Sequence, residues 1–479
     1  MLTNLKEEYP MEETKKTPGQ ERRDALLYNP KNGYDRLSPQ DEIAMHSYCE
    51  DYKKFLDLGK TERECVTTAE ALAKAQGFQP LTPGMALKAG DKVYRVNRGK
   101  SIMLAVIGSS PLSQGAHIAA AHIDSPRLDL KPSPLYEDSE LAFLKTHYYG
   151  GIRKYQWVTI PLELHGVVAL KNGQTVQVAI GPGAGDPVFT VDDLLPHLAK
   201  DQSQKPLGEA IPAESLNLLV GSRPFKDDEG SERVKLAVME LLHEKYGIVE
   251  EDFISAELEA VPAFQASDLG LDRSMIGAYG HDDRVCGYAA LKALLDLETA
   301  PAKTGICLLA DKEEVGSTGV SGMATAAFDT FMEDLCESQN VPVRVCYENS
   351  FCLSADVTAA YDPNFGDVFE RRNSSFLNYG VGLCKYTGSG GKGGASDAAA
   401  EVVAYVRRIL DENNIIWQMA ELGKVDEGGG GTVAGLLAKR NIDTIDAGVP
   451  VLAMHAPFEV VAKLDCYMTY KAMKTVYEN

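Results

Sequence analysis

The sequence predicts an α/β protein in which a helix-sheet-helix main domain is interrupted by a smaller β-rich module. Three observations carry this expectation. Apolar strand-like runs alternate with helical repeats in the first third and last half of the chain. The text between about residues 148 and 181 changes to short alternating runs separated by Gly turns. Finally, 479 residues exceed what one ordinary core holds. The expected boundaries are 1–132 and 270–479 for a discontinuous main domain and 133–269 for the insert.

About the first 35 residues are polar, with Pro and Lys or Glu clusters, and read as an irregular lead-in without chemistry. Residues 42–77 carry a helical repeat with a break at Gly59, which predicts two helices covering a sheet. KVYRVNRG and SIMLAVIGSS predict paired strands around an Arg-Gly turn. GAHIAAAHI is a short apolar run that ends abruptly at DSPRLDLKP. In the insert, VTIPLELHGVVAL and QTVQVAIG predict strands, whereas VDDLLPHLAK and ERVKLAVMELLHEKYG predict helices. Beyond Gly277, helical segments such as YAALKALLDL and AAAEVVAYVRRILDENN alternate with buried runs such as GICLLAD and VPVLAMH.

Composition narrows the function classes. Hydrophobic residues at 44% and charged residues at 24% describe a folded chain. The net charge of -21 repels phosphate backbones and anionic lipid surfaces, so nucleic acid and membrane are not expected partners. No apolar run approaches the roughly 20 residues of a membrane span. The charged N-terminus lacks the apolar core of an export signal, so a cytoplasmic location is expected. Nine Cys without a Cys-x-x-Cys pair indicate neither a disulfide framework nor a structural zinc knuckle.

Distant parts of the chain share one layout, an apolar run or helix start followed by a loop carrying His, Asp or Glu. The segments are AAAHIDSPR (His122, Asp124), GHDDRVCGYAAL (His281, Asp282, Asp283), LLADKEEVGS (Asp311, Glu313, Glu314), CLSADV (Asp356) and VLAMHAPFE (His455, Glu459). Strand ends are where α/β sheets place ligands. Imidazoles and carboxylates without thiolate suit zinc, manganese or cobalt. A carboxylate has two oxygens and can bridge a pair of ions, which makes hydrolysis the natural reaction class. Asp124 suits the orienting partner of a ligating His122. Of the adjacent Glu313 and Glu314, one can bind metal while the other acts as general base.

HIDSPRL, the Asp of HDDR, DKEEVGSTG, SADV and MHAPFE, in that order, resemble the aspartyl aminopeptidase family of cocatalytic metallopeptidases. The resemblance runs from the helices before Tyr94 to the C-terminus. It implies a zinc-peptidase-like catalytic domain and release of the N-terminal residue, Asp or Glu, from short peptides. It further implies two divalent ions per subunit, zinc with cobalt or manganese as alternatives: His122 and Asp356 on one, Glu314 and His455 on the other, and Asp282 rather than Asp283 between them. Glu313 would be the base and Asp124 the support of His122. By the same resemblance the insert mediates homo-oligomerisation, into a tetrahedral dodecamer, and His197 reaches a neighbour's site. Gly431 and Thr432 of GGGGTVAGLLAKR would lie at the substrate rim, and Lys385 and Lys392 are candidates for binding an acidic side chain.

Competing readings stand beside these. Gly388, Gly390 and Gly393 match a G-x-G-x-x-G phosphate loop before a helix, but the chain lacks the strand-turn-helix context. HEKYG at His243 lacks a second His one turn later. A peptide-binding scaffold without catalysis is the alternative function, and it predicts loss of a ligand or of the base.

Overall fold

The computed structural model describes residues 16–479, so the start of the lead-in lies outside the described residues. The remainder of the lead-in forms the helix Pro18–Leu26, which is capped by Thr17 and Gln20 and buries none of its side chains. The two helices expected next are Pro39–Leu58 and Glu62–Ala75. They part at Gly59, and Thr61 and Glu64 form a capping box that starts the second.

The central sheet has nine strands, in the order Gln79–Pro80, Lys92–Asn97, Ser101–Val106, Thr304–Ala310, Ala116–His122, Phe351–Ser354, Asp443–Gly448, Val381–Cys384 and Trp417–Met419. Its middle strands, Thr304–Ala310 to Asp443–Gly448, run parallel. Side chains alternate across it. Ala119 and Ala121 face the helices Pro39–Leu58, His281–Leu295 and Lys463–Glu478, while Ile118 and Ala120 face Ala327–Glu337 and Val343–Glu348. Burial on both faces explains why GAHIAAAHI reads as an unbroken apolar run. The expected helix-sheet-helix layering is therefore present.

Two further sheets complete the architecture. An antiparallel sheet joins Thr175–Ile180, Leu162–Ala169, Ala256–Pro262, Arg127–Asp138, Leu141–Tyr149 and Leu218–Gly221 around its own apolar cluster, which includes Trp157, Leu162 and Leu258. The third sheet orders Ser267–Leu269, Met275–Ala278, Glu459–Ala462, Pro450–Leu452 and Thr358–Ala359. Of the helices expected in the insert, Arg233–Tyr246 forms. VDDLLPHLAK does not, and only the 3-10 turn Pro196–Leu198 appears there. Pro196 removes a helical N–H and its ring clashes with the preceding turn, which leaves Leu194, Leu195 and Leu198 exposed. Among the described residues no helix is long and apolar enough to cross a membrane.

Candidate metal centre

Register brings the predicted segments together. In the parallel part of the central sheet, Ala310 pairs with His122 and Ser354 pairs with Ala120. The loops carrying Glu313, Glu314 and Asp356 therefore leave the sheet at the same end of the strands as His122. The third sheet supplies the rest. Met275–Ala278 leads into the helix that begins at His281, and its Ala278 pairs with Glu459, so Asp282 and the loop carrying His455 are held side by side.

Asp282 lies between the histidines. Its Oδ1 is 3.1 Å from His122 Nε2 and its Oδ2 is 3.1 Å from His455 Nε2. Asp356 Oδ1 is 3.7 Å and Glu313 Oε2 4.0 Å from His122 Nε2, and Glu314 Oε2 is 3.5 Å from His455 Nε2. Each ring is pinned through its other nitrogen. His122 Nδ1 bonds to the main-chain carbonyl of Asp124 at 3.0 Å, and His455 Nδ1 to that of Gly151 at 3.0 Å. Both Nε2 atoms are thereby turned toward the carboxylates. Asp283, by contrast, is fully buried, and neither of its carboxylate oxygens is hydrogen-bonded among the described residues.

Asp124 has a broader role than its sequence position suggests. Its carboxylate Oδ1 stands 3.3 Å from His122 Nδ1, farther than its own carbonyl. The carboxylate accepts the backbone N–H of Glu313 at 3.1 Å, that of Glu314 at 3.3 Å and the hydroxyl of Tyr149 at 2.8 Å. Glu459 acts similarly across the site, accepting the N–H groups of His455 at 2.7 Å and Asp282 at 3.1 Å. His281 is no part of the cluster. It is buried against the Tyr52 hydroxyl at 2.8 Å and the Ile276 carbonyl at 3.2 Å, and burial pushes its imidazole down to about 3.

The electrostatics of the cluster match a cation. Burial, reinforced by the charges of Asp356 and Asp282 against the opposing pull of His122, pushes the Glu313 carboxyl up to about 7. Burial and Asp282 raise Glu314 as well. At His455 burial works the other way, yet Asp282 and Glu314 hold the imidazole up at about 10. A field that strong would equally draw a divalent ion. Among the described residues, Asp282 Oδ1 and Glu314 Oε1 are buried without a hydrogen-bond partner. Oxygens with spare lone pairs beside imidazole nitrogens form a donor set that fits zinc, and cobalt or manganese by the same chemistry.

A cavity of about 730 Å³ adjoins the cluster, lined by Asp282, Glu313, Glu314, Asp356 and His455 and also by Tyr386, Lys392, Lys424, Gly431 and Thr432. The Thr432 hydroxyl donates to Asp446 Oδ1 at 2.8 Å, and its oxygen also receives the Ala434 N–H at 3.3 Å. Lys385 is absent from the lining. It lies between Cys384 and Tyr386, which both face the cavity, and alternate side chains of an extended chain point to opposite sides. His197 is exposed on the turn after Leu195 and lines no part of this cavity. The candidate phosphate loop has spent donors: Gly388 N–H bonds to Gly430 and Gly393 N–H to Ser389, and the helix Ala400–Glu412 starts well beyond.

Sequence reasoning missed Tyr149, Gly150, Gly151 and Asp446. Asp446 carried a signal, since a carboxylate within the apolar run of Asp443–Gly448 needs a buried partner. Its partners are the hydroxyls of Ser354, at 2.9 Å, and Thr432, and burial pushes it up to about 7.

Residues 55–477 match the family described as aminopeptidase I zinc metalloprotease (M18). A probable M18 family aminopeptidase 1 from Clostridium acetobutylicum is 48% identical over 462 residues, which cover 95% of this chain and 99% of that protein. The crystal structure of an M18-family aminopeptidase from Thermotoga maritima superposes with a TM-score of 0.90 at 43% identity, covering 94% of this chain and 99% of that one. The S. cerevisiae mApe1 dodecamer, 20% identical with a TM-score of 0.73 and covering 91% and 97% of the two chains, shares the fold.

Proposed function

The chain belongs to the M18 family of zinc aminopeptidases, hydrolases that act on N-terminal residues, and from that premise we propose how its own residues carry out the reaction. Two divalent ions would be held per subunit, zinc first and cobalt or manganese as alternatives. His122 and Asp356 would hold one, Glu314 and His455 the other, and Asp282 would contribute an oxygen to each. The observation that carries this reading is the pair of 3.1 Å separations between the two oxygens of Asp282 and the Nε2 atoms of different histidines.

Such ions, when bound, supply Lewis acidity toward a peptide carbonyl and lower the pKa of water. Glu313 faces the same cavity and takes the proton from the attacking water, then returns it to the leaving amine. Asp124 holds the Glu313–Glu314 turn in place. The acidic groups favour a cationic substrate terminus, and Gly431 and Thr432 lie where a peptide backbone would pass. An N-terminal Asp or Glu is the side chain we propose, with Lys392 and Lys424 of the lining as counter-charges.

The protein is further proposed to form a homo-oligomer, a tetrahedral dodecamer, in which the module 133–269 mediates contact and covers a neighbouring site. Exposed His197 with Leu194, Leu195 and Leu198 supports this, as does the dodecameric state of the yeast protein. Nine unpaired cysteines accord with a cytoplasmic location. The scaffold alternative requires a missing ligand or base, and the expected ligands and Glu313 stand together.

The test is residue release from aminoacyl substrates of Asp, Glu, Leu and Lys by metal-stripped protein and by protein restored with zinc or cobalt. Metal-dependent release, fastest from Asp or Glu, is expected. Fastest release from Leu or Lys would overturn the acidic preference, and no release from any substrate would leave the scaffold reading.

A further inference from the structure

The strand Leu141–Tyr149 belongs to the six-stranded sheet, yet its end touches both halves of the metal centre. The Tyr149 hydroxyl donates to Asp124 Oδ2 at 2.8 Å. The Arg127 guanidinium lies 3.8 Å from the centre of the Tyr149 ring and is itself held by Asp129 at 2.7 Å and Glu259 at 3.2 Å. The hydroxyl is thereby fixed from below by a braced cation-π contact. Two residues on, the Gly151 carbonyl receives His455 Nδ1 at 3.0 Å. Gly150 has φ +75°, and a Cβ there would stand 3.2 Å from Glu314 Oε2.

We propose that Tyr149–Gly151 is a positioning element through which the inserted sheet sets the geometry of the metal centre. Tyr149 acts through Asp124 on His122 and on the Glu313–Glu314 turn, and Gly151 acts on the ring of His455. The inference rests on the two-ion reading given above. Tyr149 lines no part of the cavity, so it is a positioning residue and not a catalytic one. The physical basis is that an imidazole pinned at Nδ1 aims its Nε2, and a carboxylate with its lone pairs occupied cannot swing; loosening either lowers metal affinity.

Tyr149→Phe keeps the ring beside Arg127 and removes only the hydroxyl. Gly151→Ala places a methyl 3.2 Å from His455 Nδ1. Zinc affinity of the full chain is measured by competition with a chromophoric chelator, and kcat and KM are measured separately at saturating zinc. Each variant is expected to bind zinc about 10- to 100-fold more weakly than the wild type. Tyr149→Phe should lower kcat while KM stays within about twofold, and the circular dichroism of both metal-stripped variants should match that of the wild type. Zinc affinity within about twofold of the wild type in both variants overturns the proposal. Weaker binding that only mirrors lost secondary structure overturns it as well, and should Tyr149→Phe not fold, Gly151→Ala decides alone. A wild-type protein that binds no zinc refutes the two-ion reading itself, and the proposal falls with it.

Discussion

Asp124→Asn tests how much of the centre depends on a side chain that touches no substrate. Asp124 is held ionised: burial opposes this, but His122, Tyr149 and Arg127 keep its carboxyl below the usual range. One oxygen receives the Glu313 N–H, and the other receives the Glu314 N–H and the Tyr149 hydroxyl. An amide has only one acceptor oxygen. Whichever way it turns, its NH₂ group meets a backbone N–H, and orphaning that donor costs about 1–3 kcal/mol. The bonds that survive lose their charge assistance, roughly another 1 kcal/mol in total. The sum is about 3 kcal/mol, or roughly a 100-fold fall at 1.36 kcal/mol per factor of ten. Steady-state kinetics at saturating zinc, with chelator competition for affinity, should divide that loss between kcat/KM and zinc binding. A combined loss below about fivefold would refute the assignment of the turn's position to this carboxylate.

Three further outcomes are expected. His165 is flanked by Glu64 at 2.7 Å and Glu163 at 3.2 Å; burial opposes its charge, but these partners hold it up at about 9, above the unfolded value near 6.5. Its stabilisation is therefore complete below about pH 6.5 and lost as pH rises through 9, so His165→Gln should flatten the urea midpoint across that window. Tyr52→Phe removes the donor 2.8 Å from buried His281 Nδ1 and should cost about 1–3 kcal/mol in urea unfolding; an unchanged midpoint would show that His281 is held by other means. Asp282→Asn should abolish tight binding of both ions in a zinc titration, whereas Asp283→Asn should leave most of it. Equal losses would reopen the choice between these neighbours.

Legibility followed physical range. Periodicity marked the helices Pro39–Leu58 and Glu62–Ala75 and the strand Ala116–His122, because their burial depends on local repeats. His122, Glu313, Glu314, Asp356 and His455 were visible because each follows an abrupt end to an apolar run or sits in a compact acidic or His-bearing loop. VDDLLPHLAK misled because its apolar spacing is helical, while Pro196 forbids the helix. Tyr149 and Gly151 were invisible for a different reason. Their contacts with Asp124 and His455 join a strand of one sheet to loops of two others, and no local spacing encodes that meeting. The role of the Asp124 carboxylate was only half legible: proximity to His122 suggested support of the ring, whereas the backbone carbonyl makes the closer bond and the carboxylate holds the Glu313–Glu314 turn.

A two-ion centre with Glu313 as its base is tested most directly on Glu313→Gln. Bound zinc per chain is counted by elemental analysis, and release of the N-terminal residue is followed in the same preparation. Two ions per chain are expected, as in the wild type, with turnover lower by about 100- to 10,000-fold, the usual worth of a general base. Near wild-type turnover with both ions bound would contradict the assignment of Glu313 as the base, and a single ion per wild-type chain would contradict the two-ion centre itself.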